Sequence, residues 1–214
     1  KLKLPILAII PAIGQKYQIK KRKNRIRSKK NTIDQVEEKN IENVDKLQRR
    51  LIMNEDPKSP IAESYRSLRT SLQYADIDES HKTIMVSSPG PGEGKSTTIM
   101  NLAITYANLG KKTVLVDTDL RKPVVHKVFK CEKDIGVSHY LSGKITDVTK
   151  IAKKTDINNL DVITCGVVPP NPSELLSSDR FKIFIADLDK EYDIILFDAP
   201  PILAVTDSVI LSQY

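Results

Sequence analysis

The sequence predicts an α/β fold: a mostly parallel sheet with helices on both faces, in three layers. Three segments carry that prediction. Thr83 to Val86 is a short apolar run that leads into the loop Ser87-Ser88-Pro89-Gly90-Pro91-Gly92-Glu93-Gly94-Lys95-Ser96-Thr97, and that loop opens a helical pattern. Thr113 to Val116 and Asp193 to Phe197 are two further strand-like runs, each followed at once by an aspartate, Asp117 and Asp198. Strand, loop, helix and strand in this order imply a right-handed parallel crossover.

The elements follow in order along the chain. Residues 1–14 are short, apolar and broken by Pro5 and Pro11, and residues 16–30 hold nine Lys/Arg. Two readings stay open for this arm. It is a solvated linker, or a polybasic patch held against anionic lipid at about 1 kcal/mol per basic residue. Ile33, Val36, Ile41, Val44, Leu47 and Leu51 have helical spacing, which predicts a surface helix over 31–53 and a loop over 54–60. A second helix is predicted over 61–75, with Ile61, Tyr65, Leu68 and Leu72 on one face and Glu63, Arg66 and Arg69 along one flank. By themselves these three charges are an ordinary solvated helix face. Residues 95–109 read as the helix after the loop, 123–130 and 134–154 as helical or mixed, and Leu160 to Thr164 as a strand. Pro169-Pro170-Asn171-Pro172 is a rigid loop, after which Ser173 is expected to cap a helix. Phe181 to Leu188 continues helical, and Asp207 to Leu211 begins another helix.

Composition bounds the rest. A chain of 214 residues buries a core for one such domain with an appendage. The net charge of +7 is local: eleven of the 34 Lys/Arg fall in residues 1–30, which hold no Asp/Glu. The remainder carries 23 basic against 27 acidic residues, so a domain-wide nucleic-acid surface is excluded. Cys131 and Cys165 lie far apart and in no metal-ligand spacing, which reads as two reduced thiols. The longest apolar stretch, Pro5 to Ile13, is about half of what crosses a bilayer. It precedes the basic run, the reverse of a secretory signal.

The three segments supply what a magnesium nucleotide needs. Gly92 and Gly94 let the backbone approach phosphate oxygens without a Cβ in the way. The helix opened by the loop offers free N–H groups and the positive end of its dipole. Pro91, Glu93 and Thr97 complete the loop, Lys95 is placed for the β- and γ-phosphates of ATP, and the Ser96 hydroxyl suits Mg²⁺. The usual first glycine would fall at Pro89, so the loop is a variant of the common P-loop. Asp117 and Asp198 are the candidate carboxylates for the metal, one direct and one through water. Asp119 is placed either to accept a proton or to hold Arg121, which is the other candidate nucleotide contact.

With Asp117-Thr118-Asp119-Leu120-Arg121, Asp198-Ala199-Pro200-Pro201, Pro169-Pro170-Asn171-Pro172-Ser173-Glu174-Leu175-Leu176 and Glu63-x-x-Arg66-x-x-Arg69 beside the loop, the chain resembles the bacterial tyrosine kinases (BY-kinases) of capsular and exopolysaccharide biosynthesis. The resemblance covers roughly residues 1–14 and 58–214. It implies a P-loop fold of the MinD/ParA kind and ATP-dependent tyrosine autophosphorylation, with Lys95, Asp117 and Asp119 in the chemistry. It implies that Glu63, Arg66 and Arg69 insert into a neighbouring copy's site in a homo-oligomeric ring. The implied partners are a chain-length-regulator membrane domain, a cognate tyrosine phosphatase and an anionic membrane surface. The implied place is the cytoplasmic face of the inner membrane.

The domain limits expected from this are 1–30 for the juxtamembrane arm, 31–57 for a helical linker and 58–214 for the kinase domain. The resemblance also leads us to expect a piece of a longer chain, with the tyrosine-rich tail missing, one sheet edge unpaired, and Ile202, Val205 and Leu211 exposed. Two rivals remain at this level. A MinD/ParA-type positioning ATPase shares the fold but usually carries an early lysine near residue 90, where this chain has Pro89-Gly90-Pro91. A scaffold of the polysaccharide machinery would bind nucleotide only to assemble.

Overall fold

The computed structural model describes residues 6–11, 51–75 and 82–214. The predicted arm over 12–30 and the predicted helix over 31–50 lie outside the described residues. Ile6 to Pro11 has no regular structure, with Ile6 and Ile9 exposed and Ile10 packed against the core.

The first elements are α1 (Ile52–Glu55) and α2 (Pro60–Ala75). The short α1 replaces part of the loop expected over 54–60, because Leu51, Ile52 and Met53 are apolar and bury against the next helix. Packing, not propensity, decides so short a segment. Ser59 opens α2: its hydroxyl accepts the Ala62 N–H at 3.1 Å. Helix α2 then buries Ile61, Ala62 and Tyr65 on one face.

Strand β1 (Thr83–Val86) feeds the glycine loop, which opens α3 (Lys95–Ala107). From Ile99 to Ala107 every residue of α3 is buried, which makes it the central helix of one layer. Then follow β2 (Thr113–Asp117), α4 (Val125–Val128), α5 (Val137–Leu141), a 3₁₀ turn over Val148–Lys150, and β3 (Lys153–Lys154). The chain continues through β4 (Leu160–Ile163), α6 (Pro172–Leu176), α7 (Asp179–Glu191), β5 (Ile194–Asp198) and α8 (Asp207–Leu211). Helix α6 starts one residue before the expected cap. Pro172 occupies its first turn, where a missing N–H costs nothing, and Asn171 flanks it. Ser173 is therefore inside the helix, and its hydroxyl is spent elsewhere.

The strand order is β1-β5-β2-β4-β3. The first three pairings are parallel and β3 joins antiparallel. Side chains alternate between two cores. Leu115, Val162 and Leu196 face α1, α2 and α3 in one core. Val114, Val116, Ile163, Ile195 and Phe197 face α5, α6, α7 and α8 in the other. Burial of both faces is why the strands read as unbroken apolar runs. Phe181 anchors the second core and stacks at 5.9 Å on Phe197 and at 5.3 Å, edge on, with Tyr214. Among the described residues β1 has a neighbour on one side only, and Ile202 is exposed, as expected. Leu211 is not: it turns into the second core, and Val205 is half-buried.

Candidate active site

The glycine loop turns where the sequence places it. Gly92 and Gly94 have φ of +81° and +91°, a region that side-chain-bearing residues rarely enter, and Gly94 flanks α3 directly. The Thr98 N–H donates to the Gly94 carbonyl at 2.9 Å, which closes the first turn. Upstream, the Ser88 hydroxyl donates to the Gly90 carbonyl at 2.7 Å and braces the variant part of the loop. The chain after β5 lies alongside, with the Ile202 N–H donating to the Ser88 carbonyl at 2.8 Å. Pro91, Glu93, Ser96 and Thr97 fall on the loop and the first turn of α3, as the sequence requires.

Strands β2 and β5 are neighbours, and their register sets Asp117 opposite Asp198. The three motif segments thus converge at one end of the sheet. The Lys95 ammonium stands 3.3 Å from Asp119 Oδ2, 3.5 Å from Asp198 Oδ1 and 3.2 Å from the Ser96 hydroxyl. Asp117 Oδ2 accepts the Val124 and Val125 N–H groups at 3.1 Å each, so this carboxylate anchors α4 as well as facing Asp198. Asp119 Oδ1 accepts the Lys122 N–H at 2.9 Å, and its Oδ2 faces Lys95.

All three aspartates are buried, and Asp117 and Asp198 wholly so. Burial drives the Asp117 carboxyl well above the usual range, and the nearby Asp198 charge adds to it; the Val125 N–H only partly counters. Burial also raises Asp198, against the pull of Lys95 and the Ser96 hydroxyl. Asp117 Oδ1 and both Asp198 oxygens lack a well-aligned hydrogen-bond donor. Buried oxygens of this kind are costly unless something cationic meets them. Hard oxygen ligands next to a hydroxyl fit Mg²⁺, which takes one or two carboxylates and fills the rest of its shell with phosphate and water. Among the described residues no group of three His, Cys, Asp or Glu forms a ready metal cage.

Arg121 does not pair with Asp119. Its Nε donates to Asp207 Oδ2 at 2.9 Å, and its Nη2 reaches Asp207 Oδ1 at 3.2 Å and the Ser173 hydroxyl at 3.0 Å. Asp207 and Ser173 are residues that sequence reasoning left out of the site. Their only cue was a place in segments already quoted or flanking the third motif. On α2, Glu63 and Arg66 pair with each other at 2.9 Å, and Arg66 also holds the Pro57 carbonyl. Arg69 turns inward and donates to the Thr105 carbonyl of α3 at 3.2 Å. The three lie on one flank, but Arg69 bonds to the domain's own central helix whereas Glu63 and Arg66 bond to each other. No helix among the described residues is long and apolar enough to cross a membrane.

This fold and this convergence of glycine loop, lysine and strand-end aspartates define a P-loop nucleotide-binding domain, and the AAA domain family matches residues 81–213. The tyrosine-protein kinase YwqD of Bacillus subtilis is 44% identical over 168 residues, which are 78% of this chain and 70% of that protein. The tyrosine-protein kinase wzc of Salmonella typhimurium is 40% identical over 167 residues, 78% of this chain but 23% of that longer protein. The solved structure of the chimerical protein CapA2B2 superposes with a TM-score of 0.74 at 39% identity, covering 78% of this chain and 73% of that one. The chain belongs to the bacterial tyrosine-protein kinases, which phosphorylate protein tyrosine with ATP.

Proposed function

We propose that this chain transfers the γ-phosphoryl group of ATP to tyrosines, chiefly on neighbouring copies of itself, and that it thereby regulates capsule or exopolysaccharide polymerisation and export. The observation that carries this is the Lys95 ammonium held between Asp119 and Asp198 at the mouth of the glycine loop, beside carboxylate oxygens that lack a well-aligned donor among the described residues.

On binding ATP, Lys95 leaves the aspartates for the phosphates, where it and the loop N–H groups from Gly92 to Thr97 offset charge that grows in the transition state. Mg²⁺, when bound, supplies further charge neutralisation at the phosphates, with the Ser96 hydroxyl, Asp198 and Asp117 Oδ1 as the groups that would hold it. Asp119 or Asp117 orients the phenol and takes its proton. Asp117 is the less suited of the two, because its Oδ2 is already bonded to two backbone N–H groups. Arg121 borders the nucleotide from its seat on Asp207. Such catalysis is mostly positioning and electrostatics, with little covalent chemistry by the protein.

The remaining parts of the reading concern assembly. Glu63 and Arg66, with Arg69 behind them, would meet an adjacent copy in a ring. The arm over 16–30 would lie on the cytoplasmic face of the inner membrane, next to a chain-length-regulator domain in the same or a partner chain. A cognate tyrosine phosphatase would reverse the reaction. The two kinase relatives differ widely in length, which fits a membrane domain fused to the kinase in one and separate in the other.

The test is phosphotyrosine formation on a tyrosine-rich peptide with ATP and Mg²⁺. The wild-type protein should form it, and Asp198→Asn should weaken binding of Mg-ATP more than of Mg-free ATP. Hydrolysis of ATP without any phosphotyrosine would favour the positioning ATPase, and binding without turnover would favour the scaffold.

A further inference from the structure

A network next to the phosphate site, centred on the buried Asp207, does more than seat Arg121 beside the nucleotide. Asp207, the first residue of α8, is fully buried. Its two oxygens grip the Arg121 guanidinium side-on, and Oδ1 also accepts the Ser173 hydroxyl at 2.6 Å. Burial alone would raise this carboxyl, but Arg121 and the Ser173 hydroxyl outweigh it and hold it below the usual range. The next residue continues the network. The Ser208 hydroxyl donates to the Pro200 carbonyl, which also accepts the Ser87 hydroxyl at 2.7 Å. Two consecutive residues therefore tie together Ser87 before the glycine loop, Arg121 after β2, Pro200 after β5, and Ser173 of the proline-rich segment.

Arg121 lies within a short turn, over 118–122, that carries the Asp119 carboxylate. Inside that turn the Lys122 N–H bonds to Asp119 Oδ1. Leu120 is fully buried and Thr118 bonds to the Asp198 carbonyl, so the inner half is held by the fold. The outer half, from Arg121 onward, is exposed. Backbone N–H groups of Lys122, Val124 and Val125 hold it to Asp119 and Asp117, and its side-chain tether is the bidentate grip of Asp207, a geometry that fixes direction as well as distance. Asp119 Oδ2 faces Lys95, so slack in this turn moves a charge at the reacting phosphates. A misplacement of about 1 Å there costs on the order of a hundredfold in rate.

We propose that Asp207, assisted by Ser173, is a positioning residue for phosphoryl transfer: it clamps Arg121 and so holds Asp119 opposite Lys95. The catalytic part of this rests on the kinase reading above, whereas the clamp itself does not. It also gives the Pro169 to Leu176 segment a task, since Ser173 joins that segment to the strand-end turn.

Asp207→Asn keeps size and shape but removes the charge, and Arg121, which is partly exposed, can turn to water. In the full-length protein we expect kcat to fall at least about tenfold while KM for ATP stays within about threefold. We expect the Lys122 amide to exchange with deuterium at least about tenfold faster, with exchange in α3 unchanged. Asp207→Glu should recover part of both losses, and Ser173→Ala, which leaves the ion pair in place, should show the same pattern more weakly. Unchanged Lys122 exchange in folded Asp207→Asn overturns the proposal, whatever the activity. So does a fall in kcat matched by equal losses of ATP affinity and of protection throughout α3, which marks a merely structural residue. If Asp207→Asn does not fold, Ser173→Ala decides by the same two readouts. Faster Lys122 exchange in a protein whose wild type forms no phosphotyrosine supports the clamp and sinks the kinase reading alone.

Discussion

Lys95→Met tests the electrostatics of the site most directly. The substitution keeps the length of the side chain and removes its charge. Two consequences follow from the distances. With nucleotide, the γ-phosphoryl group loses its lysine, and phosphoryl transfer should fall by at least about a hundredfold. Without nucleotide, Asp198 loses the Lys95 cation at 3.5 Å while remaining wholly buried, and Asp119 loses the same cation at 3.3 Å. Stranding a buried charge in this way costs about 3 kcal/mol or more when the carboxylate is ionised. The Asp198 carboxyl is already raised by burial, and loss of Lys95 raises it further. A carboxyl raised in the folded state binds its proton more tightly there than in the unfolded chain. Its contribution to stability is therefore present at acid pH and is lost as pH climbs through the raised value. The deficit of Lys95→Met should accordingly be small near pH 5 and grow toward pH 8. At about 2–4 °C per kcal/mol for a domain of this size, the alkaline loss in Tm is roughly 6–12 °C. Thermal melting by circular dichroism at both pH values, without nucleotide or magnesium, reads it. Adding Asp198→Asn should restore the alkaline Tm and leave activity abolished. A deficit independent of pH, or one larger at pH 5, would refute the reasoning.

Other outcomes follow from single contacts. Gly136→Ala places a Cβ 1.9 Å from the Thr164 carbonyl oxygen, so it should cost about 3 kcal/mol, read as a lowered urea midpoint; an unchanged midpoint would show that the two segments can separate freely. Tyr65→Phe removes a buried hydroxyl shared with the Thr98 and Asn101 side chains and should cost about 1 kcal/mol by the same measurement. On the assembly reading proposed above, neutralising Glu63, Arg66 and Arg69 together should lower the mass of the full-length protein by light scattering with ATP binding kept, and an unchanged mass would reject that reading. Arg69→Ala alone should also lower Tm, because Arg69 bonds to α3. The nine Lys/Arg of residues 16–30 should bind anionic vesicles in a salt-sensitive way, and salt-independent sedimentation would reject the polybasic reading.

Much of the candidate site was legible in the chain because its parts are local. A glycine loop, a lysine and a hydroxyl occupy consecutive positions, and their geometry follows from the backbone turn at Gly92 and Gly94. Asp117 and Asp198 announce themselves by ending apolar strands. A parallel sheet covered on both faces follows from those same runs, and the family follows from the motifs together. The limits of short elements were less legible. The turn at Ile52–Glu55, the start of α6 at Pro172 and the two-residue β3 are stabilised by what they pack against, which no local pattern records.

What only the tertiary structure decided is which distant partners the charges take. Arg121 stands two residues from Asp119 and pairs instead with Asp207, 86 positions away. Arg69 shares a flank with Arg66 and Glu63 yet bonds across to Thr105, 36 positions away. The sequence by itself determined the longer elements, because backbone periodicity and turn chemistry act over a few residues. The partners were set by the packing of α8 and α2 against the rest of the domain. A hydrogen bond forms over about 3 Å, and only the folded chain brings residues from different layers within that reach.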